Sequence, residues 1–213
     1  MHPRVRKRLY NVSMKFDVVI VGGGLVGASL ALALKDSGLK IALVEFRPTP
    51  PLPADESWDS RVYAISPGSA AFLQNLGVWD ALDQERVTPV YNMAVFGDAS
   101  AARLDFSAYN IGVPELAFIV ENRQLQNAAW KGLKRRGNPI KVFCPAQCSL
   151  MLRAESHAEL HLDDGTVMQT GLIVGADGVN SWVREQAGIE VARHSYKQMG
   201  VVANFDAARH HNN

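Results

Sequence analysis

Three glycines open the chemistry of this chain. Gly22, Gly24 and Gly27 form a G-x-G-x-x-G pattern directly after the apolar run Val18–Val21 and before an apolar stretch of helical character. In that setting the first glycine permits a tight turn, the second lets backbone approach a pyrophosphate, and the third lets a helix pack closely on a strand. The following helix offers its free N–H groups and the positive end of its dipole to the phosphates. Glycine-rich turns are common, so the pattern alone is weak; an acid in register strengthens it. Glu45 closes the next apolar run 18 residues after Gly27, close to the ~20-residue separation at which a carboxylate reaches ribose hydroxyls. The chemistry implied is the binding of an adenine dinucleotide. Arg47 leaves room for a 2′-phosphate, so these residues alone leave both FAD and NAD(P) open.

Those residues need a βαβ unit to hold them. Phe16–Val21 is predicted as a buried parallel strand, Leu25–Asp36 as a helix that Gly38 is placed to end, and Leu39–Glu45 as a second buried strand. Pro48–Pro53 is a loop. Ser66 as cap and Pro67 at the first helical position predict a helix to Leu76, stopped by Gly77. Tyr91–Phe96 and Ala102–Phe106 read as strands about a turn at Gly97-Asp98, and Phe118–Val120 as another strand. Asn122–Arg136 reads as a helix with Leu125, Ala128, Ala129 and Leu133 on one face and Gly137 at its end. Lys141–Phe143 and Ser149–Arg153 follow as strands. Glu159–Leu162 and the stretch from Val167 form a hairpin about Asp163-Asp164-Gly165-Thr166. Leu172–Gly175 is predicted as a buried strand, leading through Ala176-Asp177-Gly178 into a helix from about Ser181 to Ala187. The order is α/β, then antiparallel strands, then α/β again, which predicts a nucleotide-binding domain with a β-rich domain inserted in it.

Composition excludes several functions. The 22 basic and 21 acidic residues leave a net charge of +1, so nothing global favours nucleic acid. Arg4, Arg6, Lys7 and Arg8 are a local exception and read as a solvated tail. The basic start followed by VVIVGGGLVGASLALAL imitates a signal peptide, with Ala31-Leu32-Ala33 as a mock cleavage site. Three adjacent glycines interrupt that run, however, and its 17 residues fall short of the ~20 that span a bilayer. Met14 is an alternative start that would remove the basic tail. Cys144 and Cys148 lack both zinc-site number and C-x-x-C spacing; they are expected to be reduced and buried, as in a cytoplasmic protein. His157 and His161 fall on a predicted strand and form no metal pattern. Asn11-Val12-Ser13, His210 and His211 are assigned no role.

The segment GLIVGADGVNSWVREQAGI, residues 171–189, resembles the second FAD fingerprint of the class A flavoprotein monooxygenases: a strand, Asp177-Gly178, then Ser181 and Arg184 on the next helix. DSRVYAISPGSAAFLQNLGVWD (59–80), VENRQLQNAAW (120–130) and VVANFD (201–206) are similar to the ubiquinone-biosynthesis ring hydroxylases of that group. The resemblance runs from Phe16 onward. It implies an α/β fold, a Rossmann-like FAD-binding domain with an inserted antiparallel β-rich substrate domain that is incomplete here. The segments expected are a basic tail (1–15), the FAD-binding domain (16–90 and 119–190), a β-rich segment (91–118) and the start of a truncated substrate domain (191–213). The family's third motif, Gly-Asp with a following histidine and proline, has no counterpart after Asp177, and Gly97-Asp98-Ala99 reads as a hairpin turn.

By this resemblance FAD is held by Gly22, Gly24, Gly27, Glu45, Arg61, Arg123, Asp177 and Gly178. Asp177 touches the riboflavin part, Arg61 lies near the cofactor, Arg123 starts a helix that passes it, and Arg184 steadies its own helix. From the residues alone, Arg61 and Arg123 are equally open to reading as surface arginines. The implied activity is NAD(P)H- and O₂-dependent hydroxylation of a polyprenyl phenol or benzoquinol ring. The cofactor carries the hard chemistry, and no catalytic side chain or metal site is named. Peripheral contact with the inner face of a membrane, or with a ubiquinone-biosynthesis complex, is the implied partner class. Another FAD or NAD(P) oxidoreductase, or a non-catalytic FAD-binding fragment, are the alternatives.

Overall fold

The computed structural model describes residues 13–55, 57–99, 101–205, 208 and 209. The basic cluster Arg4–Arg8, Asn11, Val12, His210 and His211 lie outside the described residues. In chain order the elements are β1 (Met14–Val21), α1 (Leu25–Ala33), β2 (Ile41–Val44), β3 (Val62–Ile65), α2 (Pro67–Asn75), β4 (Thr88–Val90), β5 (Asn92–Phe96) and β6 (Arg103–Ser107). There follow α3 (Ala108–Ile111), β7 (Ala117–Glu121), α4 (Asn122–Leu133), β8 (Lys141–Phe143), β9 (Cys148–Arg153), β10 (Ala158–Leu162), β11 (Val167–Gly175) and α5 (Trp182–Gln186). They divide into two compact units. One holds the described part of Met1–Thr49 with Leu133–Arg193; the other holds Pro50–Gly132 and the described part of His194–Asn213.

The first unit is built on a six-stranded sheet in the order β8-β2-β1-β11-β10-β9. β8, β2, β1 and β11 run parallel, and β10 and β9 extend the sheet as antiparallel neighbours. Val18–Val21 and Ile41–Val44 are buried at every position, the mark of parallel strands covered on both faces. Buried Val19, Val21, Ala42 and Val44 join Leu160, Leu162, Met168 and Val183 in one core cluster. α1 buries Ala28, Ala31 and Leu32. The second unit carries an antiparallel sheet, β3-β7-β4, and the separate hairpin β5-β6. Its α2 starts as the sequence predicts: the Ser66 side chain accepts the Ser69 N–H at 3.2 Å, Pro67 is the first helical residue, and Gly77 takes φ +71°.

Several expectations are corrected. The first helix ends at Ala33, three residues short of Asp36, because the Ser37 hydroxyl and backbone take the Leu34 carbonyl and turn the chain. Leu172–Gly175 is neither separate nor buried. It is the second half of β11, which pairs with β1 as far as Gly175, and Leu172 is 54% exposed because no described side chain covers that position. Cys144 and Cys148 are free thiols but only half-buried. β3, β4 and α3 were not foreseen: each has five residues or fewer and owes its conformation to pairing or packing.

Leu160 is fully buried at the centre of the first unit's cluster. Leu160→Ala is expected to cost about 2–5 kcal/mol, read as a lower denaturation midpoint with little change in slope.

Candidate functional site

In the first unit the site begins where three parallel strands end side by side. Val21 pairs with Val44 on one side and Gly175 on the other, so the residues after each strand meet: Gly22, Glu45 and Ala176-Asp177. This is the carboxyl edge of an open α/β sheet, where such folds bind ligands. The Gly22 N–H donates to the Val44 carbonyl (2.8 Å) and the Ala176 N–H to the Val21 carbonyl (2.7 Å), which locks the three ends together.

The three glycines have separable physical reasons. Gly22 sits at φ +105°, and a Cβ there would run into the Ala176 carbonyl and the Asp177 backbone. A Cβ at Gly27 would strike the Gly22 carbonyl oxygen and come within 3.1 Å of the Ala176 Cβ. Both are required by the protein's own packing. Gly24 is not: its φ is −63°, and a Cβ there would meet no protein atom within 4 Å. It caps α1 without a side-chain hydrogen bond or any acid in the first turn. Neither conformation nor packing demands glycine here, and the backbone lies open to a group approaching from outside. The first-turn N–H groups of a helix, which have no intrahelical partner, stand at that place. These features fit a bound pyrophosphate.

Glu45 is held by its backbone between Phe143 and Ala146. Its Oε2 accepts the Gly23 N–H at 2.5 Å and its Oε1 the Arg47 N–H at 2.9 Å. Each oxygen keeps lone-pair capacity for a hydroxyl. Asp177 is engaged by its own helix: Oδ1 accepts the Ser181 hydroxyl at 2.5 Å and Oδ2 the Val183 N–H at 3.0 Å. Ser181 in turn accepts the Arg184 N–H at 3.0 Å and caps α5, while Arg184 Nη2 donates to the Val179 carbonyl at 3.0 Å. Gly178 takes φ +89°, which turns the chain between the acid and the helix it caps.

Glu45 and Asp177 line one cavity of about 320 Å³ with Gly22, Phe46, Gln147 and Trp182. Cys148 lines it too, and its thiol is pushed up to about 12, first by burial and then by the charges of Asp177 and Asp163. It is therefore a neutral thiol at physiological pH. Gln147 reaches the cavity from a segment that no local pattern connects to it, and Trp182 follows Ser181 at a place in the Asp177 motif that the resemblance assigns no role.

Arg61 and Arg123 belong to the second unit. Arg61 is exposed, with its guanidinium 5.7 Å from the Tyr63 ring centre. Arg123 is committed to a buried cluster that the sequence did not reveal. Glu121, 2% exposed, accepts from Arg86 Nε at 2.7 Å, from Arg123 Nε at 3.2 Å and from the Asp59 N–H at 2.6 Å. Arg86 and Arg123 both donate to the Ser57 carbonyl, and Asp59 accepts the N–H groups of Arg61 and Arg123. The one available sign was an acid closing the apolar run Ala117–Val120 just before a helix. Burial pushes the Glu121 carboxyl up, but the Arg86 and Asp59 hydrogen bonds and both arginine charges outweigh it and hold it below its ordinary value.

His157 and His161 approach Glu159 at 3.6 and 3.5 Å. Among the described residues, no group of three or more His, Cys, Asp or Glu side chains converges as a metal site, and no helix is long and apolar enough to cross a membrane.

A family model described as FAD binding domain matches residues 15–212. The chain is 36% identical over 182 residues to the 3-demethoxyubiquinol 3-hydroxylase of Escherichia coli (strain K12), covering 85% of this chain and 46% of that protein. It is 36% identical over 202 residues to the mitochondrial ubiquinone biosynthesis monooxygenase COQ6 of Homo sapiens, covering 88% of this chain and 42% of that one. The chain thus spans less than half the length of either relative. Among solved structures it resembles P. aeruginosa PqsL in complex with 2-aminobenzoylacetate. The TM-score is 0.68 at 21% identity, over 85% of this chain and 48% of that one, a likeness of fold.

Two predictions follow from this geometry. Gly27→Ala is expected to destabilise the first unit by about 1–3 kcal/mol through overpacking, whereas Gly24→Ala stays within about 0.5 kcal/mol yet weakens dinucleotide retention. Thermal unfolding and a binding titration on both variants separate the two effects. Glu121→Ala deprives two half-buried guanidinium groups of their carboxylate and is expected to cost about 3 kcal/mol, the lower end for a broken buried pair. Because the folded-state Glu121 value is depressed, its contribution is present above the ordinary carboxyl range and lost as pH falls through the folded value. Glu121→Gln is therefore expected to be less stable at neutral pH and to show a shallower acid limb in a stability–pH profile.

Proposed function

The chain belongs to the FAD binding domain family, its dinucleotide is FAD, and on that premise we propose that it is part of a flavin-dependent ring hydroxylase of ubiquinone biosynthesis. Its substrate is a polyprenyl phenol or benzoquinol. The similarity to ubiquinone-biosynthesis hydroxylases over most of the chain carries this reading, and the open backbone at Gly24 supports it from the geometry.

In this reading the N-terminus of α1 takes the pyrophosphate and Glu45 takes the ribose hydroxyls through the lone pairs that Gly23 and Arg47 leave open. Asp177, held rigid by Ser181 and Val183, faces the riboflavin chain. Arg61 and Arg123 are carried over as cofactor residues by the family resemblance alone; within the second unit Glu121 holds the Arg123 guanidinium. FAD supplies the redox and oxygen chemistry when bound, and the chain's part is to bind, orient and exclude water. The balanced reaction is ring C–H, O₂, NAD(P)H and a proton giving ring C–OH, NAD(P)⁺ and water. We read its place of work as the cytoplasm, with a polyprenyl substrate fitting contact with the inner face of a membrane or with a ubiquinone-biosynthesis complex. The modest share of the relatives' length favours one further reading, that this chain alone holds FAD without turning over.

Labelled oxygen tests the main reading. The full-length protein bearing this segment, given NAD(P)H, ¹⁸O₂ and a short-chain prenyl phenol, is expected to put one ¹⁸O into the ring product. NAD(P)H oxidation with no label in the product would overturn it. Oxygen-dependent product formation by the chain alone would overturn the second reading.

A further inference from the structure

We propose that the end of the first unit's sheet where β2 and β8 begin is a docking face for an anionic phospholipid bilayer. Residues 122–154 contain Arg123, Lys131, Lys134, Arg135, Arg136, Lys141 and Arg153 and not one aspartate or glutamate, in a chain whose charges balance overall at 22 against 21. Lys131, in the last turn of α4, has an ordinary explanation: cations there offset the helix dipole. Arg135, Arg136 and Lys141 lie beyond the helix, where that explanation fades.

The turn that carries them is ordered. The Asn138 N–H donates to the Arg135 carbonyl (3.1 Å), its Nδ2 to the Leu133 carbonyl (3.1 Å), and its Oδ1 accepts the Ile140 N–H (3.0 Å). Lys134, Arg135, Arg136 and Lys141 are all exposed around it. β8 then pairs with β2 in the register Ala42↔Lys141, which brings exposed Lys40, two residues before Ala42, to the same end. Two acids share this end. Asp36 lies 4.0 Å from Lys35, and Asp17 accepts the Lys40 N–H at 2.7 Å. Among the described residues, Lys40, Arg135, Arg136 and Lys141 thus stand at this end beside Asp17, for which no side-chain ion pair is formed. β1 also starts at this end.

The cations come from one turn and the starts of two strands, an arrangement that suits a plane of many phosphates. The parallel strands place this end opposite the cavity at Gly22 and Glu45, so docking leaves cofactor entry clear. The choice of a bilayer over an acidic protein rests on the proposed polyprenyl substrate, which resides in one. Clustered Lys and Arg are drawn to anionic leaflets, within a Debye length of about 8 Å at physiological salt.

Vesicle co-sedimentation of the purified chain tests this. With about 30% phosphatidylglycerol in phosphatidylcholine at about 0.1 M salt, the chain is expected to sediment, to stay in solution with phosphatidylcholine alone, and to be released at about 0.5 M salt. Lys40→Glu/Arg135→Glu/Arg136→Glu is expected to lower partitioning at least about tenfold with flavin retention unchanged. Lys40→Arg/Arg135→Lys/Arg136→Lys, which keeps the charge, is expected to bind as the parent does. Absence of sedimentation, equal binding to neutral vesicles, or full binding by the charge-reversed variant would overturn the proposal. Retention on an acidic polypeptide without vesicle binding would assign the face to a protein partner and overturn it equally. Vesicle binding intact with no ring hydroxylation by the full-length protein contradicts the proposed function alone. Hydroxylation of a short-chain substrate without vesicle binding contradicts the docking face alone.

Discussion

Where β1 and β11 end together, the backbone at Ala176 and Asp177 runs so close to Gly22 that no side chain fits between them. The site depends on this contact. It joins two stretches some 150 residues apart in sequence, the glycine loop and the Asp177 turn, into one rigid edge. Gly27 extends the same constraint, pressing α1 onto the Gly22 carbonyl and the Ala176 methyl. With those two positions committed to packing, the open backbone at Gly24 and the carboxylate of Glu45 are presented at fixed places around a shared cavity. Buried strands make the arrangement stiff: β1 and β2 are covered on both faces over the four residues that lead into the loop and the acid.

The second unit solves a different problem. It holds a carboxylate in the interior, and an isolated buried charge is strongly unfavourable. Two guanidinium groups and a backbone N–H meet Glu121 there, and the same arginines satisfy the Ser57 carbonyl. Such a network is poor evidence of net stability, since desolvation offsets much of the attraction. What it fixes is geometry: the course of the 57–61 segment and the start of α4. Asp59 belongs to both, accepting the N–H groups of Arg61 and Arg123, so the two arginines carried over from the family resemblance are tied together by a residue between them and Glu121.

Much of this was legible in the sequence because local chemistry dictated it. The parallel strands announce themselves as unbroken apolar runs, α2 by Ser66-Pro67, and the glycine loop by its spacing ahead of Glu45. Elements that owe their conformation to distant partners were not legible. β3 and β4 are short edge partners of β7, and β4 contains Pro89. The ends of helices and strands drifted for the same reason: the Ser37 contact that stops α1, and the β1 pairing that carries β11 past Gly171, are tertiary facts. Glu121 follows the predicted strand Phe118–Val120 with no role read for it, and only its three donors disclose one. Gln147 enters the cavity from a segment with no motif, and Trp182 from a place inside the Asp177 fingerprint to which the resemblance assigns no role.

The central claim is that the first unit holds the ADP half of FAD against α1 and Glu45. The direct measurement is a fluorescence titration of the purified chain with FAD, competed by ADP and separately by riboflavin. The account expects saturable quenching of flavin fluorescence that ADP reverses and riboflavin does not. Absence of quenching by a chain whose circular dichroism and cooperative unfolding are native, or displacement by riboflavin but not by ADP, would contradict it.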